Sequence, residues 1–303
     1  VLDISKKMDG CLDTIRVPDS RIDTLSSMYT PEKTIYAQIE YFLPKKQNIN
    51  KEQSIWTQVR DCDALLHVVR TFEVYGLKKS SAYEDFRTLE QELIIADLIV
   101  VEKRINRLEL DRKRSKKDNN KELALLNKCL KLLEDEIPIR RFKELALAPE
   151  LRGFAFLSAK PMLVIFNNED EDKSLPELPD TETFDFVKNS IVLRGKLENE
   201  IMQMSDEERD EFLNEFNIKE SPMDRAIKKS YEILGLISFF TVGKDEVRAW
   251  TIKKHTTALD AAEIIHSDIK KGFIRAEVVS YENMIQSGSY VEAKKKGVVK
   301  HKV

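Results

Sequence analysis

Three cysteines, Cys11, Cys62 and Cys129, are all that a chain of 303 residues carries, and no two of them stand in a CxxC spacing. The odd count argues against a disulfide framework and for a reducing compartment, so the expected location is cytoplasmic. Long apolar runs are also lacking. None approaches the ~20 residues needed to cross a bilayer and no signal-peptide pattern opens the chain, so no membrane association is expected. Nor is there an excess of charge: 50 basic against 53 acidic residues leave a net charge of -3. No global field draws such a chain to nucleic acid or membrane, and any attraction must come from local patches.

Recognisable catalytic motifs are equally scarce. A phosphate-binding loop needs G-x-x-x-x-G-K-[ST], because glycines let backbone amides approach the phosphates while the lysine and hydroxyl serve phosphate and magnesium. The two Gly-Lys pairs, Gly195-Lys196 and Gly243-Lys244, have Ser190 and Ser238 five residues before the glycine and Leu197 and Asp245 after the lysine. Neither fits. His67, His255, His266 and His301 are isolated, which excludes the paired-histidine spacings of zinc sites, and there is no G-x-S-x-G elbow. Read by themselves, these residues name no catalytic group.

What is present is a set of elements. Met162 to Phe166 is an unbroken apolar run, as in a strand covered on both faces of a mainly parallel sheet. Asn167, Asn168, Glu169 and Asp170 follow at its carboxyl end, where open α/β sheets bind ligands and where an amide and a carboxylate can read a nucleotide base. A polar loop after a core strand is the competing reading. Asp63 to Val69 is a second buried-strand candidate, within which His67 reads as a satisfied core or strand-end histidine rather than a catalytic one. Further strands are expected at Thr34 to Leu43 and Ser190 to Leu193, and Ser205 to Glu208 has the spacing of a helix capping box.

From residue 82 the pattern changes. Ile94, Leu98, Val101, Ile105 and Leu108, and then Leu123, Leu126, Leu130, Leu133 and Ile137, recur at steps of three and four. That predicts an antiparallel helical hairpin over 82–150. Its tip is basic: Arg112, Lys113, Arg114, Lys116 and Lys117, with Lys121 beyond and Lys103, Arg104 and Arg107 leading up to it. Such a run is a solvated turn or an arm that contacts phosphate. From about residue 233, Phe239 to Gly243 and Glu246 to Ile252 read as a hairpin. A helix at Ala258 to Ile269 and a strand at Phe273 to Val279 follow, together a compact α+β module.

Five segments together resemble the YchF family, the Obg-like ATPases: Val17-Pro-Asp-Ser-Arg-Ile-Asp23, Asp63-Ala-Leu-Leu-His-Val-Val-Arg70, Ser205-Asp-Glu-Glu-Arg-Asp-Glu-Phe212, Glu246-Val-Arg-Ala-Trp-Thr-Ile252 and Ile265-His-Ser-Asp-Ile-Lys-Lys-Gly-Phe-Ile-Arg-Ala276. The resemblance implies a P-loop GTPase-like α/β nucleotide-binding domain with a mostly parallel sheet, an inserted antiparallel α-helical hairpin and a C-terminal α+β β-grasp (TGS) domain. On that basis residues 1–81 and 151–232 form the nucleotide domain, 82–150 the insertion and 233–303 the TGS domain. It further implies binding and slow hydrolysis of ATP or GTP, and association with the ribosome, where the basic hairpin tip would meet ribosomal RNA phosphate.

Asn167-Asn-Glu-Asp170 matches the family's base-reading Asn-x-x-Glu with aspartate in the last place, which makes Asn167, Asn168 and Asp170 the expected nucleotide-binding residues and leaves the choice of base open. The family's Walker A belongs before Val17, but the sixteen residues there hold no glycine loop. Both ends of the chain read as cut, since it opens on Val1 and the TGS module lacks its Asp-Gly-Asp turn after Gly297. Magnesium is expected if the phosphate loop precedes Val1 in a longer protein. Where the family has Asp-x-Ala-Gly, this chain has Leu43 at the aspartate position, followed by Pro44, so hydrolysis is expected to be weak or lost. A scaffold that binds ribosomes or proteins without nucleotide is the alternative.

Overall fold

The computed structural model describes residues 11–44, 55–73, 81–114, 120–176, 188–205, 208–209 and 221–302. Their elements run β1 (Cys11–Arg16), α1 (Ser20–Tyr29), β2 (Lys33–Ile35), β3 (Gln38–Leu43), α2 (Ile55–Val59), β4 (Leu65–Arg70), α3 (Ala82–Arg114), α4 (Asn120–Glu134), α5 (Lys143–Ala146), β5 (Met162–Asn167), β6 (Ser190–Leu193), α6 (Gly195–Met202), α7 (Pro222–Ile233), β7 (Leu236–Val242), β8 (Glu246–Lys253), α8 (Ala258–Ile265), α9 (Ser267–Lys271), β9 (Ala276–Val278), α10 (Tyr281–Ser287), α11 (Tyr290–Lys295) and β10 (Lys300–Lys302). They divide into two compact units, Val1–Asp13 with Tyr41–Ile233, and Thr14–Glu40 with Leu234–Val303.

The first unit is built on a parallel sheet in the order β4-β5-β6. β5 is central, and its continuous apolar run is explained by burial on both sides. Met162, Val164 and Phe166 pack with Val69, Phe86 and Leu93 on one face, while Leu163 and Ile165 pack with Ala226 of α7 on the other. His67 lies on the first of these faces, stacked on Phe86 with ring centroids 6.1 Å apart. Burial lowers its pKa to about 4, so it is a neutral histidine packed in the core as expected, but it is not the satisfied one expected, since its buried Nδ1 has no hydrogen-bond partner among the described residues.

α3 and α4 form the helical hairpin. Its antiparallel sense is written in two ion pairs: Arg87, early in α3, reaches Glu136 just beyond α4, and Arg104, late in α3, reaches Glu122 at the start of α4. Ile94, Val101, Ile105 and Leu108 bury against Leu126, Cys129 and Leu133, so the heptad-like seam is the core of the hairpin. α4 ends where Glu136 takes a left-handed φ of 56° shortly before Pro138. Asp97, fully buried midway along α3, ties the hairpin to the segment that leads into β5 by accepting from the Leu157 and Ser158 amides at 3.0 and 2.6 Å and from Arg60 at 3.1 Å.

The second unit holds a three-stranded sheet in the order β2-β8-β7. β7 and β8 form the expected antiparallel hairpin, with the Gly243 amide donating to the Glu246 carbonyl at 2.9 Å across the turn. β2 runs parallel to β8, pairing Lys33 with Glu246 and Ile35 with Arg248. α1 packs on β7 and β8 and buries Ile22 and Leu25. It starts at Asp19, which caps the Arg21 amide at 3.0 Å, and the Arg21 guanidinium lies over the Phe240 ring at 5.0 Å.

Residues 14–40, expected within the first part of the nucleotide domain, therefore group with the C-terminal unit. The pairing of β2 with β8 and the seat of α1 are the reasons. The helix expected over Ala258 to Ile269 is also divided. His266 adopts an extended conformation and its ring nitrogen accepts the Asp268 amide at 3.2 Å, ending α8 and starting α9. The strand expected at Phe273 to Val279 is shorter, Ala276–Val278, and pairs antiparallel with β10.

Candidate functional site

In a parallel sheet the carboxyl ends of all strands lie on one edge, and there the first unit gathers its polar side chains. β5 ends on Asn167, β4 is followed by Thr71, and β6 leads through Arg194 into α6. The first amides of a helix have no partners within it and must find them elsewhere. α6 finds two of them in the loop after β5. Asn167 Oδ1 accepts from the Gly195 amide at 2.9 Å, and Asp170 Oδ1 accepts from the Leu197 amide at 3.1 Å. A Cβ at position 195 would stand 2.8 Å from Asn167 Oδ1, so any larger residue there would push the Asn167 side chain aside.

The Asn167 NH2 group takes no partner among the described residues. The Asp170 side chain is 36% exposed, with Lys196 Nζ 3.8 Å from its second oxygen. Beneath them, Arg194 and Glu198 are buried. The Arg194 guanidinium donates to the Asp170 carbonyl at 3.2 Å, and its amide donates to Glu198 Oε1 at 3.0 Å. Burial raises the Glu198 pKa, opposed by that amide and by the charges of Arg225 and Arg194.

Asn168, expected beside Asn167 and Asp170 as a base contact, is turned into the protein and only 4% exposed. Its Oδ1 accepts from the Thr71 hydroxyl at 2.6 Å, and its NH2 group donates to the Ser174 carbonyl at 2.8 Å and the Asp172 carbonyl at 3.3 Å. Buried polar groups take partners wherever they can, and here the partners lie inside the loop. Sequence reasoning misses Thr71, Arg194, Gly195 and Glu198 as members of this site. The available signal is position, because each immediately follows a strand end or lies at the opening of the next helix.

The other expected residues lie elsewhere. Leu43 closes β3 with 38% of its surface exposed, next to Pro44. At the far end of α3 Arg112 is exposed, and Lys113 and Arg114 occupy the last two positions of the helix. Lys116 and Lys117 lie outside the described residues. Arg104, which leads up to the tip, is held by both oxygens of Glu122 at 2.7 and 3.1 Å, and Lys121 is paired with Glu150. Among the described residues no cluster of His, Cys, Asp or Glu is arranged to hold a metal, and no helix is long and apolar enough to cross a membrane.

Comparison with known proteins gives concordant matches. The family YchF-GTPase_C, described as a protein of unknown function (DUF933), matches residues 236–303. The ribosome-binding ATPase YchF of Bacillus subtilis (strain 168) is 34% identical over 310 residues, covering 97% of this chain and 85% of the relative. Its namesake from Escherichia coli O157:H7 is 34% identical over 302 residues, covering 93% and 82%. Among solved structures, the YchF GTPase of Schizosaccharomyces pombe superimposes with a TM-score of 0.82 at 26% identity, over 96% of this chain and 83% of that one.

Proposed function

Because the chain belongs to the YchF family, we propose that it is an ATP- or GTP-binding regulatory protein that associates with ribosomes in the cytoplasm, with hydrolysis weak or lost. One observation carries the nucleotide reading: Asn167 and Asp170 converge on the amino end of α6 at the carboxyl edge of the parallel sheet. Asn167 would donate its NH2 to a ring nitrogen of the base, and Asp170 would accept from the base's exocyclic or ring N–H groups. These residues fit a purine. Bound nucleotide would bring the phosphoryl chemistry, while Asn167 and Asp170 only hold and orient the base.

The magnesium side does not fit. Leu43 offers no carboxylate and Pro44 no amide N–H, the two groups that would hold a metal-bound water and contact a terminal phosphate. This supports weak or absent hydrolysis. The names of the bacterial relatives and the cationic end of α3 support ribosome association. Arg112, Lys113 and Arg114, followed by Lys116 and Lys117, would meet RNA phosphate, and the C-terminal unit would provide a second docking surface.

A scaffold that needs no nucleotide is the second reading, favoured by Leu43 and by the backbone amides that already engage Asn167 and Asp170. Thermal melting of the full-length protein with ATP or GTP and magnesium separates the two. Ligand at a hundred times its Kd stabilises the native state by about 2.7 kcal/mol, which moves the midpoint by a few degrees. A midpoint unmoved by both nucleotides leaves the scaffold.

A further inference from the structure

We infer that Thr71 and Asn168 form a strut that sets the position of Asn167 and Asp170, so that Thr71 governs how well the site recognises a purine without touching it. The inference rests on the nucleotide reading above. Its ground is the way three strand ends are tied together. The Thr71 amide holds the Asn167 carbonyl at 3.1 Å, while its hydroxyl lies 2.6 Å from Asn168 Oδ1 and 3.0 Å from the same Asn167 carbonyl. A hydroxyl has one hydrogen, and the shorter contact takes it. β4 thus grips both residues that open the loop after β5.

Asn168 passes this constraint onward. Its backbone amide donates to the Leu193 carbonyl at the end of β6 at 2.8 Å, and its NH2 group closes the loop on Ser174 and Asp172. Asp170 lies inside the loop so closed. Turning Asn168 toward a ligand would strip a buried amide of its partners on both sides, which is why its role is to position its neighbours. Asn167 and Asp170 are separated by two residues, and this closure, together with the Gly195 and Leu197 amides, sets the distance between the donor and the acceptor they offer a base.

The geometry makes a distinctive demand. Loss of the Thr71 hydroxyl leaves Asn168 Oδ1 buried without its donor, the loop relaxes, and the base-dependent part of binding suffers while phosphate binding does not. The test measures affinities of the full-length protein for ATP, GTP and inorganic tripolyphosphate, each with magnesium, in the parent, Thr71→Val and Thr71→Ser. Valine is expected to weaken the preferred purine nucleotide about tenfold, the scale of one buried hydrogen bond, and to narrow the ATP-to-GTP ratio. Tripolyphosphate binding is expected to stay unchanged, and serine, which keeps the hydroxyl, is expected to restore the parent values.

Asn168→Asp keeps the acceptor toward Thr71 and removes the donor toward Ser174 and Asp172. It is expected to shift the same ratio, and it serves if the valine variant does not fold. Parent-like purine affinity in the folded variants overturns the strut while leaving nucleotide binding intact. An equal loss of tripolyphosphate, or a serine variant as weak as valine, also overturns it. A parent protein that binds neither purine nucleotide removes the nucleotide reading, and the inference falls with it.

Discussion

Arg60 and Asp97 meet at 3.1 Å under the hairpin, and Asp97 has no exposed surface at all. The pair is more than a two-body contact. Arg60 also donates to the Ala155 carbonyl at 3.1 Å, while Asp97 takes two amides of the segment leading into β5. Charges removed from water are costly unless every lone pair and proton is met, and here they are met largely by backbone.

Asp97→Ala is therefore expected to cost about 3–5 kcal/mol of stability, because it strands the guanidinium and two buried amides. The shift of the urea midpoint at constant m-value measures it. Pairing it with Arg60→Met in a double-mutant cycle should give a coupling of at least about 1 kcal/mol. Additive effects would mean that the backbone contacts alone support Asp97.

His67 predicts an acid limb of stability. Its imidazole is neutral in the fold down to about pH 4 because burial penalises the charged form, while the unfolded chain takes up the proton near the ordinary histidine value of 6.5. Across that window the unfolded state binds more protons, so stability falls as the pH drops from about 6.5 toward 4, and this contribution levels off below. The whole effect is on the order of 3 kcal/mol. His67→Gln should flatten the limb in a pH series of denaturation midpoints, and an unchanged slope would assign it to other groups.

Single-turnover hydrolysis by the full-length protein is expected to run well below that of a YchF relative with the family's aspartate at the position of Leu43. Removing a residue that positions the attacking water or metal costs about a hundredfold or more in comparable sites. Rapid quench with labelled ATP or GTP reads it directly. A rate matching the relative's would show that Leu43 and Pro44 are no obstacle.

Reversing Arg112, Lys113, Arg114, Lys116 and Lys117 to glutamate should weaken co-sedimentation with ribosomes and flatten its dependence on salt. Every phosphate that the tip no longer neutralises takes about 0.7–0.9 off the slope of log K against log salt. If binding and slope are both unchanged, the tip is only a solvated turn.

The sequence is legible where local pattern alone decides structure. Met162 to Phe166 reads as a buried strand because both faces need apolar side chains, and Gly243 marks the hairpin turn between β7 and β8. The amino end of the polar stretch also reads as the strand end that it is. Partnerships across the chain are not legible. Nothing in Lys33–Ile35 announces β8, and nothing in Asn168 distinguishes an amide turned inward from one facing a ligand. Asp97 is an intermediate case. It lies three residues after Ile94 and four before Val101, both buried, so a carboxylate on the apolar face is visible, though its partners are not.

The pairing of β2 with β8 also orders events in time. Lys33 and Glu246 are roughly 210 residues apart in sequence yet are neighbours in the sheet. At about 5–20 residues per second of synthesis, α1 and β2 leave the ribosome long before their partner strand exists. Ile22 and Leu25 have no sheet to bury against during that interval. The sheet of the second unit can be completed only once β8 has been made, whereas the contacts of the helical hairpin are local and available earlier.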